Sequence, residues 1–169
     1  MSISTSPLRL HINEYKTGKE VKVNYHKITI TSPHADSLHK AGWLFNWSLT
    51  AGTTVVAITL PGSNEFQGLV SYDNDDNFVN LDLIESAPYN RGKNRRFYGV
   101  GRALFAIVAQ ASFDYGDDGF ILLKPKTRVR EHFSTDMGAK EIGNGKQYID
   151  TTSAIQLLNT FKGDDSNGK

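Results

Sequence analysis

The chain has 169 residues, of which 38% are hydrophobic and 22% are charged, with a formal net charge of +1 and no cysteine. Because single domains commonly contain about 100–200 residues, we expect one domain over residues 1–162 and a frayed polar tail over 163–169. The missing cysteine excludes disulfides, thiolate metal sites and a covalent cysteine intermediate. The near-neutral charge provides no global attraction to nucleic acid or anionic lipid.

Targeting and membrane signals are not visible in the sequence. No apolar run reaches the roughly 18–20 residues of a membrane span, and MSISTSPLRL at the start lacks the basic and then apolar pattern of a signal peptide. We therefore expect a cytosolic protein without a membrane partner. The five histidines contain no i, i+4 pair, so no metal site is expected either.

The first half of the chain predicts mostly strands. A strand is expected near Val21 to Thr31, followed by a short helix or loop that carries Trp43 and Trp47. The helical spacing of the two tryptophans favours the core or a pocket wall over a base-stacking surface. Three further β-rich runs are separated by turn-forming residues and predict an antiparallel meander. These runs are Thr53 to Leu60, Phe66 to Tyr72 and Asn77 to Glu85.

The second half alternates helices and strands after a polar connection, APYNRGKNRRFY. Apolar residues at helical spacing and a terminating glycine predict a helix over Gly101 to Tyr115. The run FILLK is apolar on both faces and predicts a covered strand. The other expected elements are a helix at Arg128 to Met137, two strands around the turn GNG within Lys140 to Thr152, and a helix at Ser153 to Phe161. The predicted fold class is α/β (α+β).

Gly99 and Gly101 stand at the start of the long helix, where backbone N–H groups lack intrahelical partners and the helix dipole is positive. Glycines there would let the backbone approach a phosphate. A dinucleotide fingerprint is disfavoured because Leu104 occupies the position of its third glycine. A P-loop is excluded because Arg102 and Ala103 follow Gly101. What remains is Arg96-x-x-Gly99-x-Gly101.

This motif, with the strand FILLK and the segment HFSTDMGA, resembles the GNAT superfamily of N-acetyltransferases over about Phe66 to Leu158. The resemblance implies a mixed, mostly antiparallel central sheet flanked by helices. It also implies that acetyl-CoA is the acyl donor and that backbone N–H groups bind its pyrophosphate. The implied cofactor-binding residues are Ile84, Ser86, Arg96, Phe97, Tyr98, Gly99, Val100, Gly101 and Arg102.

Acetyl transfer to an amine requires a group that accepts the proton of the attacking amine. Asp82 and Glu85, on the strand before the motif, are the candidate bases. In the resembled family, N–H groups near Ile84 to Ser86 would hold the oxyanion, and a tyrosine protonates the leaving thiolate. Ser134 stands at that tyrosine's position, so Ser134, His132, Tyr148 or solvent could take this role. Without cysteine, the expected reaction is direct transfer in a ternary complex.

A different class of function stays open as the alternative. The chain could be a non-catalytic acyl-CoA-binding domain, or an RNA-binding module that uses RGKNRR and KPKTRVR. The RNA hypothesis is the weaker one, because regular aromatic residues between the basic ones are missing. The sequence leaves open the amine acceptor, which could be a small molecule or a protein, and whether the protein is a homodimer.

Overall fold

The structure is a computed structural model that describes residues 8–124, 133 and 136–162. These residues form two compact units, each assembled from separate parts of the chain. The first unit contains Leu10–Asp73 and Asp82–Leu104. The second unit contains the described parts of Met1–Arg9, Asn74–Leu81 and Phe105–Lys169. One domain over residues 1–162 stays a prediction.

The strands of the first unit, including the part of β6 from Asp82 onward, lie in two sheets. A small sheet has the strand order β2-β1-β7, and the larger sheet begins β3-β4-β5-β6. Their bounds are β1 His11–Glu14, β2 Glu20–Lys22, β3 Asn24–Ile28, β4 Thr54–Thr59, β5 Phe66–Asn74, β6 Val79–Ser86 and β7 Phe97–Tyr98. The three predicted strands of the meander are thus confirmed as β4, β5 and β6.

The predicted strand near Val21 to Thr31 is wrong in its extent, since it is two strands in different sheets. β2 pairs with β1, whereas β3 pairs with β4. The change of partner occurs at Val23, which is 3% exposed and donates its N–H to the Leu10 carbonyl at 3.1 Å. Only one residue separates the two strands. The sequence therefore shows a continuous β-rich run and no turn residues at the point where the chain changes sheets.

Helix α1, Ser32–Lys40, follows β3 and is capped by the Thr31 side chain. It ends before Gly42, whose φ of 105° suits glycine. Trp43 and Trp47 therefore come after the helix, and Trp47 begins a short 3-10 helix. Both indoles belong to the core of this unit, as predicted, together with Ala35, Leu38, Val55, Ala57, Leu69 and Ala87.

Helix α2, Val100–Tyr115, begins in the first unit and continues in the second, and Gly116 follows it with a φ of 87°. Its residues from Ala103 to Ala109 are all buried. The helix predicted over Gly101 to Tyr115 is therefore confirmed. The chain contains no helix, within the described ranges, that is long and apolar enough to cross a bilayer.

In the second unit, β6 pairs in parallel with β8, Ile121–Leu123, through Val79 and Asn80. The sheet then continues antiparallel through β10, Lys146–Ile149, to β9, Lys140–Gly143. Helix α3, Thr151–Phe161, is capped by Asp150. These elements match their predictions, and the sheet is mixed and mostly antiparallel. Most of the helix predicted over Arg128 to Met137 lies outside the described residues.

Candidate functional site

The site begins where the chain turns from β7 into α2. The short strand β7 pairs with β1, where Tyr98 lies opposite Asn13. Gly99 follows with a φ of 88°, in the left-handed region that favours glycine, and α2 starts at the next residue. The first hydrogen bond that closes this turn runs from the Ala103 N–H to the Gly99 carbonyl at 3.1 Å. The N–H groups before Ala103 lie in the first turn, where a helix has no partners for them.

Gly101 differs from Gly99 in what a side chain would meet. Its φ lies outside the left-handed region, so other residues can adopt its backbone conformation. A Cβ at Gly101 would have no described heavy atom within 4 Å beyond its own helix and chain neighbours. Neither backbone conformation nor packing requires glycine here. Open space therefore adjoins the first turn of α2, which is what a ligand at the N–H groups needs.

Gly68 on β5 seats the start of α2 on the sheet. A Cβ at Gly68 would lie 2.5 Å from Val100 Cγ1, 3.0 Å from Leu104 Cδ1 and 3.4 Å from the Glu85 carbonyl oxygen. Real Cβ atoms essentially never come as close as 2.5 Å to another side chain, so this strand glycine marks a close approach of helix and strand. The first turn of α2 is thereby held against β5, beside the end of β6.

Glu85, one of the two predicted bases, is 6% exposed. One carboxylate oxygen accepts the Leu44 N–H at 2.6 Å, and the other accepts the Phe45 N–H at 3.1 Å and the Trp47 indole N–H at 2.9 Å. Arg91 Nη1 lies 3.6 Å from the first oxygen. Glu85 therefore ties the end of β6 to the segment 44–47. A proton from an acceptor amine would have to compete with these donors for the same oxygens.

Asp82, the other predicted base, is exposed on β6. Its Oδ2 accepts a hydrogen bond from the Ser71 hydroxyl at 3.3 Å, and the same hydroxyl accepts the Leu83 N–H at 3.1 Å. Ile84 and Ser86, the predicted oxyanion region, are partly buried on the same strand. Asp82 thus keeps solvent access, which a group that exchanges protons needs.

The basic residues before the helix are engaged in contacts within their own unit. Arg96 forms an ion pair with Glu65 at 3.2 Å and stacks its guanidinium 4.3 Å from the centre of the Tyr89 ring. Arg91 Nη2 donates to the Gly42 carbonyl at 3.0 Å. Arg95 Nε donates to the Gly92 carbonyl at 2.9 Å. These contacts favour a structural role for the three arginines over a phosphate-binding surface.

The other predicted cofactor-binding residues surround the same turn. Phe97 is buried, and its N–H donates to the Asn90 side-chain oxygen at 3.3 Å. Tyr98 is 42% exposed, with its ring edge-on to Tyr15. Val100 is 2% exposed, and Arg102 is partly buried. Because Phe97 uses its N–H internally, the N–H groups of the helix turn itself are the better candidates for an anion.

The structure brings Asp82, Glu85 and the motif from Arg96 to Arg102 into one compact unit. Tyr148, a predicted acid, belongs to the other unit. It lies on β10 opposite Leu122 and Lys140, with its ring stacked at 6.5 Å on Phe120. The predicted acids Ser134 and His132 lie outside the described residues.

One pocket was not found by sequence reasoning. It has a volume of about 490 Å³ and lies in the first unit. Its lining residues are His26, His34, Leu38, Ala41, Trp43, Asn64, Glu65, Phe66 and Tyr89. The sequence predicts a core or pocket-wall position for Trp43, but the other lining residues share no sequence spacing that would indicate a common site. No group of three or more potential metal ligands occurs within the described part of the chain.

No protein-family model matches the sequence, and no curated protein matches it. Solved structures do match. A protein assigned to the GNAT acetyltransferases from Desulfovibrio desulfuricans aligns with 76% of this chain and 99% of its own, at 14% identity and a TM-score of 0.54. A GNAT-family acetyltransferase from Staphylococcus aureus Mu50 aligns with the same values.

A third solved structure is a cAMP-binding acyltransferase from Mycobacterium smegmatis. It aligns with 95% of this chain at 10% identity and a TM-score of 0.52, and this chain covers 52% of its length. The three alignments agree on the architecture. The chain therefore has the fold of the GNAT acetyltransferases, and the resemblance seen in the sequence is confirmed at the level of the fold.

Proposed function

We propose that this protein is an acetyl-CoA-dependent N-acetyltransferase that transfers the acetyl group directly to an amine. The observation that carries the proposal is the glycine pair at the start of α2. Gly99 turns the chain with a φ of 88°, and Gly101 leaves open space beside the first helical turn although no contact among the described residues requires glycine there.

The first turn of α2 suits the pyrophosphate of acetyl-CoA. The N–H groups of Val100, Gly101 and Arg102 lie where a helix has unpaired donors and the positive end of its dipole. A side chain at residue 101 would fill the adjoining space. When bound, acetyl-CoA supplies the thioester whose acyl group is transferred. The chain's own contribution is to bind and orient this donor.

Asp82 is the proposed general base. Its carboxylate is exposed on β6 and would accept the proton of the attacking amine, directly or through water. Glu85 stays a second candidate, although its oxygens already accept three N–H groups. N–H groups near Ile84 to Ser86 are the proposed oxyanion donors. Tyr148 and Ser134 stay the proposed acids for the leaving thiolate.

Measuring acetyl-CoA binding tests whether the start of α2 is the donor site. We expect wild type to bind acetyl-CoA in a calorimetric titration, and Gly101→Val to bind it about tenfold or more weakly. Gln110→Val, farther along the same helix, is the control for adding a β-branched residue and should leave the affinity unchanged. Equal affinities for Gly101→Val and wild type would place the cofactor elsewhere.

Turnover with a panel of amines, followed by release of free CoA thiol, separates an enzyme from a binding module. Thiol release that depends on the amine supports the transferase. Saturable acetyl-CoA binding without release to any amine would instead favour a non-catalytic acyl-CoA-binding domain.

A further inference from the structure

The pocket of about 490 Å³ in the first unit has a size suited to a small molecule, because small-molecule sites commonly measure about 300–1,000 Å³. Its walls come from β3, helix α1 and the segment after it, residues 64–66 at the start of β5, and Tyr89 after β6. Leu38, Ala41, Trp43, Phe66 and Tyr89 provide the apolar part of the lining. Three aromatic rings in one pocket favour a ligand with an apolar, ring-sized body.

The polar side chains of the pocket indicate the charge of the ligand that it would bind. Glu65 is the one carboxylate among the described lining residues, and none of them is lysine or arginine. His26, His34 and Asn64 complete the polar part. Arg96 is not a lining residue, but its ion pair with Glu65 partly offsets the charge of that carboxylate. A cationic ligand would bind near Glu65 in competition with Arg96. It would also gain the aromatic faces of Trp43 and Phe66, since Arg96 already stacks on Tyr89.

Glu65 remains accessible to a ligand despite its ion pair. The Glu65 side chain is 49% exposed and its partner Arg96 is 55% exposed, so water screens their interaction. The Arg96 guanidinium that pairs with Glu65 also stacks on the Tyr89 ring. Burial raises the pKa of Tyr89 to about 12, so this phenol stays neutral and lines the pocket as an apolar wall with a protonated hydroxyl.

Arg96 connects the pocket to the start of α2. It is the first residue of the motif Arg96-x-x-Gly99-x-Gly101, and it contacts two pocket residues, Glu65 and Tyr89. Trp43, another lining residue, directly precedes Leu44, whose N–H is held by Glu85 at the end of β6. The pocket is therefore linked through Arg96 to the segment that precedes β7 and α2, and through Leu44 to Glu85 on β6, the second candidate base.

We propose that this pocket binds the acetyl acceptor, and that the acceptor is a small primary amine with an apolar, ring-sized body. The inference rests on the proposed acetyltransferase function and adds the substrate class. The ammonium form binds near Glu65 while the ring contacts Trp43, Phe66 and Tyr89. The amine must then lose a proton to the base before it attacks the thioester, and the acetylated product is a neutral amide.

The test uses 2-phenylethylamine as the probe, titrated calorimetrically into the full chain with and without CoA. Two analogues vary one property each: 3-phenylpropionate reverses the charge, and n-butylamine keeps the single positive charge without a ring. We expect 2-phenylethylamine to bind about tenfold or more tightly than either analogue. Equal or tighter binding of the carboxylate or the alkylamine would overturn the proposed substrate class.

Ala41→Phe tests the location. Ala41 is exposed and its φ of −80° and ψ of −2° suit any residue, so phenylalanine fills the pocket without straining the backbone. Ala51→Phe is the matched control, since Ala51 is exposed and does not line the pocket. We expect Ala41→Phe to weaken amine binding about tenfold or more and Ala51→Phe to leave it unchanged. Glu65→Gln should weaken the binding of 2-phenylethylamine and leave the affinity for 2-phenylethanol, which has no charge, unchanged.

The outcomes separate this inference from the proposed function. If acetyl-CoA does not bind, the proposed function fails whatever the amine does. If acetyl-CoA binds and an amine is acetylated, but Ala41→Phe and wild type turn it over alike, the pocket is not the acceptor site. Acetylation of peptide N-termini alone, with no binding of ring-bearing amines, would also overturn the inference.

Discussion

Trp47 donates its indole N–H to the buried carboxylate of Glu85 at 2.9 Å, across 38 residues of sequence. The same carboxylate accepts the N–H groups of Leu44 and Phe45. One side chain on β6 thus orders the segment that follows α1, including the neighbour of the pocket residue Trp43. Glu85 acts here as a positioning residue, whatever part it takes in proton transfer.

The first prediction concerns the stability that this contact provides. Glu85→Gln replaces one acceptor oxygen with an N–H₂ group that faces N–H donors, so we expect the free energy of unfolding to fall by about 1.5–3 kcal/mol. Urea denaturation measures the change. Asp82→Asn is the matched control, because it removes a charge from an exposed position on the same strand and should change stability by about 0.5 kcal/mol or less. Equal effects of the two variants would contradict the positioning role.

The second prediction concerns the base. Asp82→Asn should lower kcat by about tenfold or more while the affinity for acetyl-CoA stays unchanged, since general bases contribute roughly 10²–10⁴ in rate. The wild-type rate should rise with pH through one ionisation. Steady-state kinetics across pH, together with acetyl-CoA titration, provide both readouts. If Asp82→Asn keeps the full rate and Glu85→Gln loses it with its fold intact, the base is Glu85.

The third prediction concerns the close approach at Gly68. Gly68→Ala places a Cβ 2.5 Å from Val100 Cγ1, so the Val100 side chain or the start of helix α2 must shift, and we expect a loss of about 1–3 kcal/mol in unfolding free energy. Val100→Ala removes the clashing methyl groups. In the double variant, Gly68→Ala should therefore cost less than it does alone. Additive effects of the two substitutions on stability would show that Val100 is not the source of the clash and would contradict the prediction.

The fourth prediction concerns the acid. With Tyr148 in this role, Tyr148→Phe should lower turnover about tenfold or more and leave acetyl-CoA affinity unchanged. Ser134→Ala should then be nearly silent. Kinetics of both variants with the same amine distinguish the cases. A silent Tyr148→Phe beside an inactive Ser134→Ala would assign the contribution to the serine.

The fifth prediction concerns Asp150 and acid pH. The Lys140 ammonium, followed by the Ser153 N–H at 2.9 Å, holds the pKa of Asp150 below its usual range. A carboxyl whose pKa is lower in the folded state stabilises the fold above its unfolded pKa of about 4, and this contribution is lost as pH falls through the folded value. Wild-type stability should therefore decrease in the acid range.

Asp150→Asn tests this dependence because asparagine still caps helix α3 but does not titrate. We expect its stability to fall less steeply below about pH 4 than that of wild type in urea denaturation at several pH values. Asp36→Asn, at an exposed position on α1, serves as the control. An unchanged pH slope in Asp150→Asn would exclude Asp150 as the source.

Much of the fold could be predicted because its signals are local. The strand β8 follows from an apolar run, and the hairpin between β9 and β10 follows from Asn144 and Gly145, which have φ values of 55° and 76°. The change of sheet at Val23 could not be predicted. It depends on a contact with another segment, since Val23 donates its N–H to the carbonyl of Leu10, just before β1.

Helix α2, its glycine pair and the carboxylates on β6 could be predicted without the structure, because periodicity and spacing within one element need no information about other elements. The contacts and roles of these residues depend on the packing of the whole fold. The fold gave Gly99 a left-handed φ and left Gly101 open, and it placed Glu85 among N–H donors about 40 residues away. The pocket beside Glu65 is likewise formed by residues from separate segments of the chain. Contacts between distant segments depend on how strands pair and helices pack, so they cannot be predicted from a local sequence pattern.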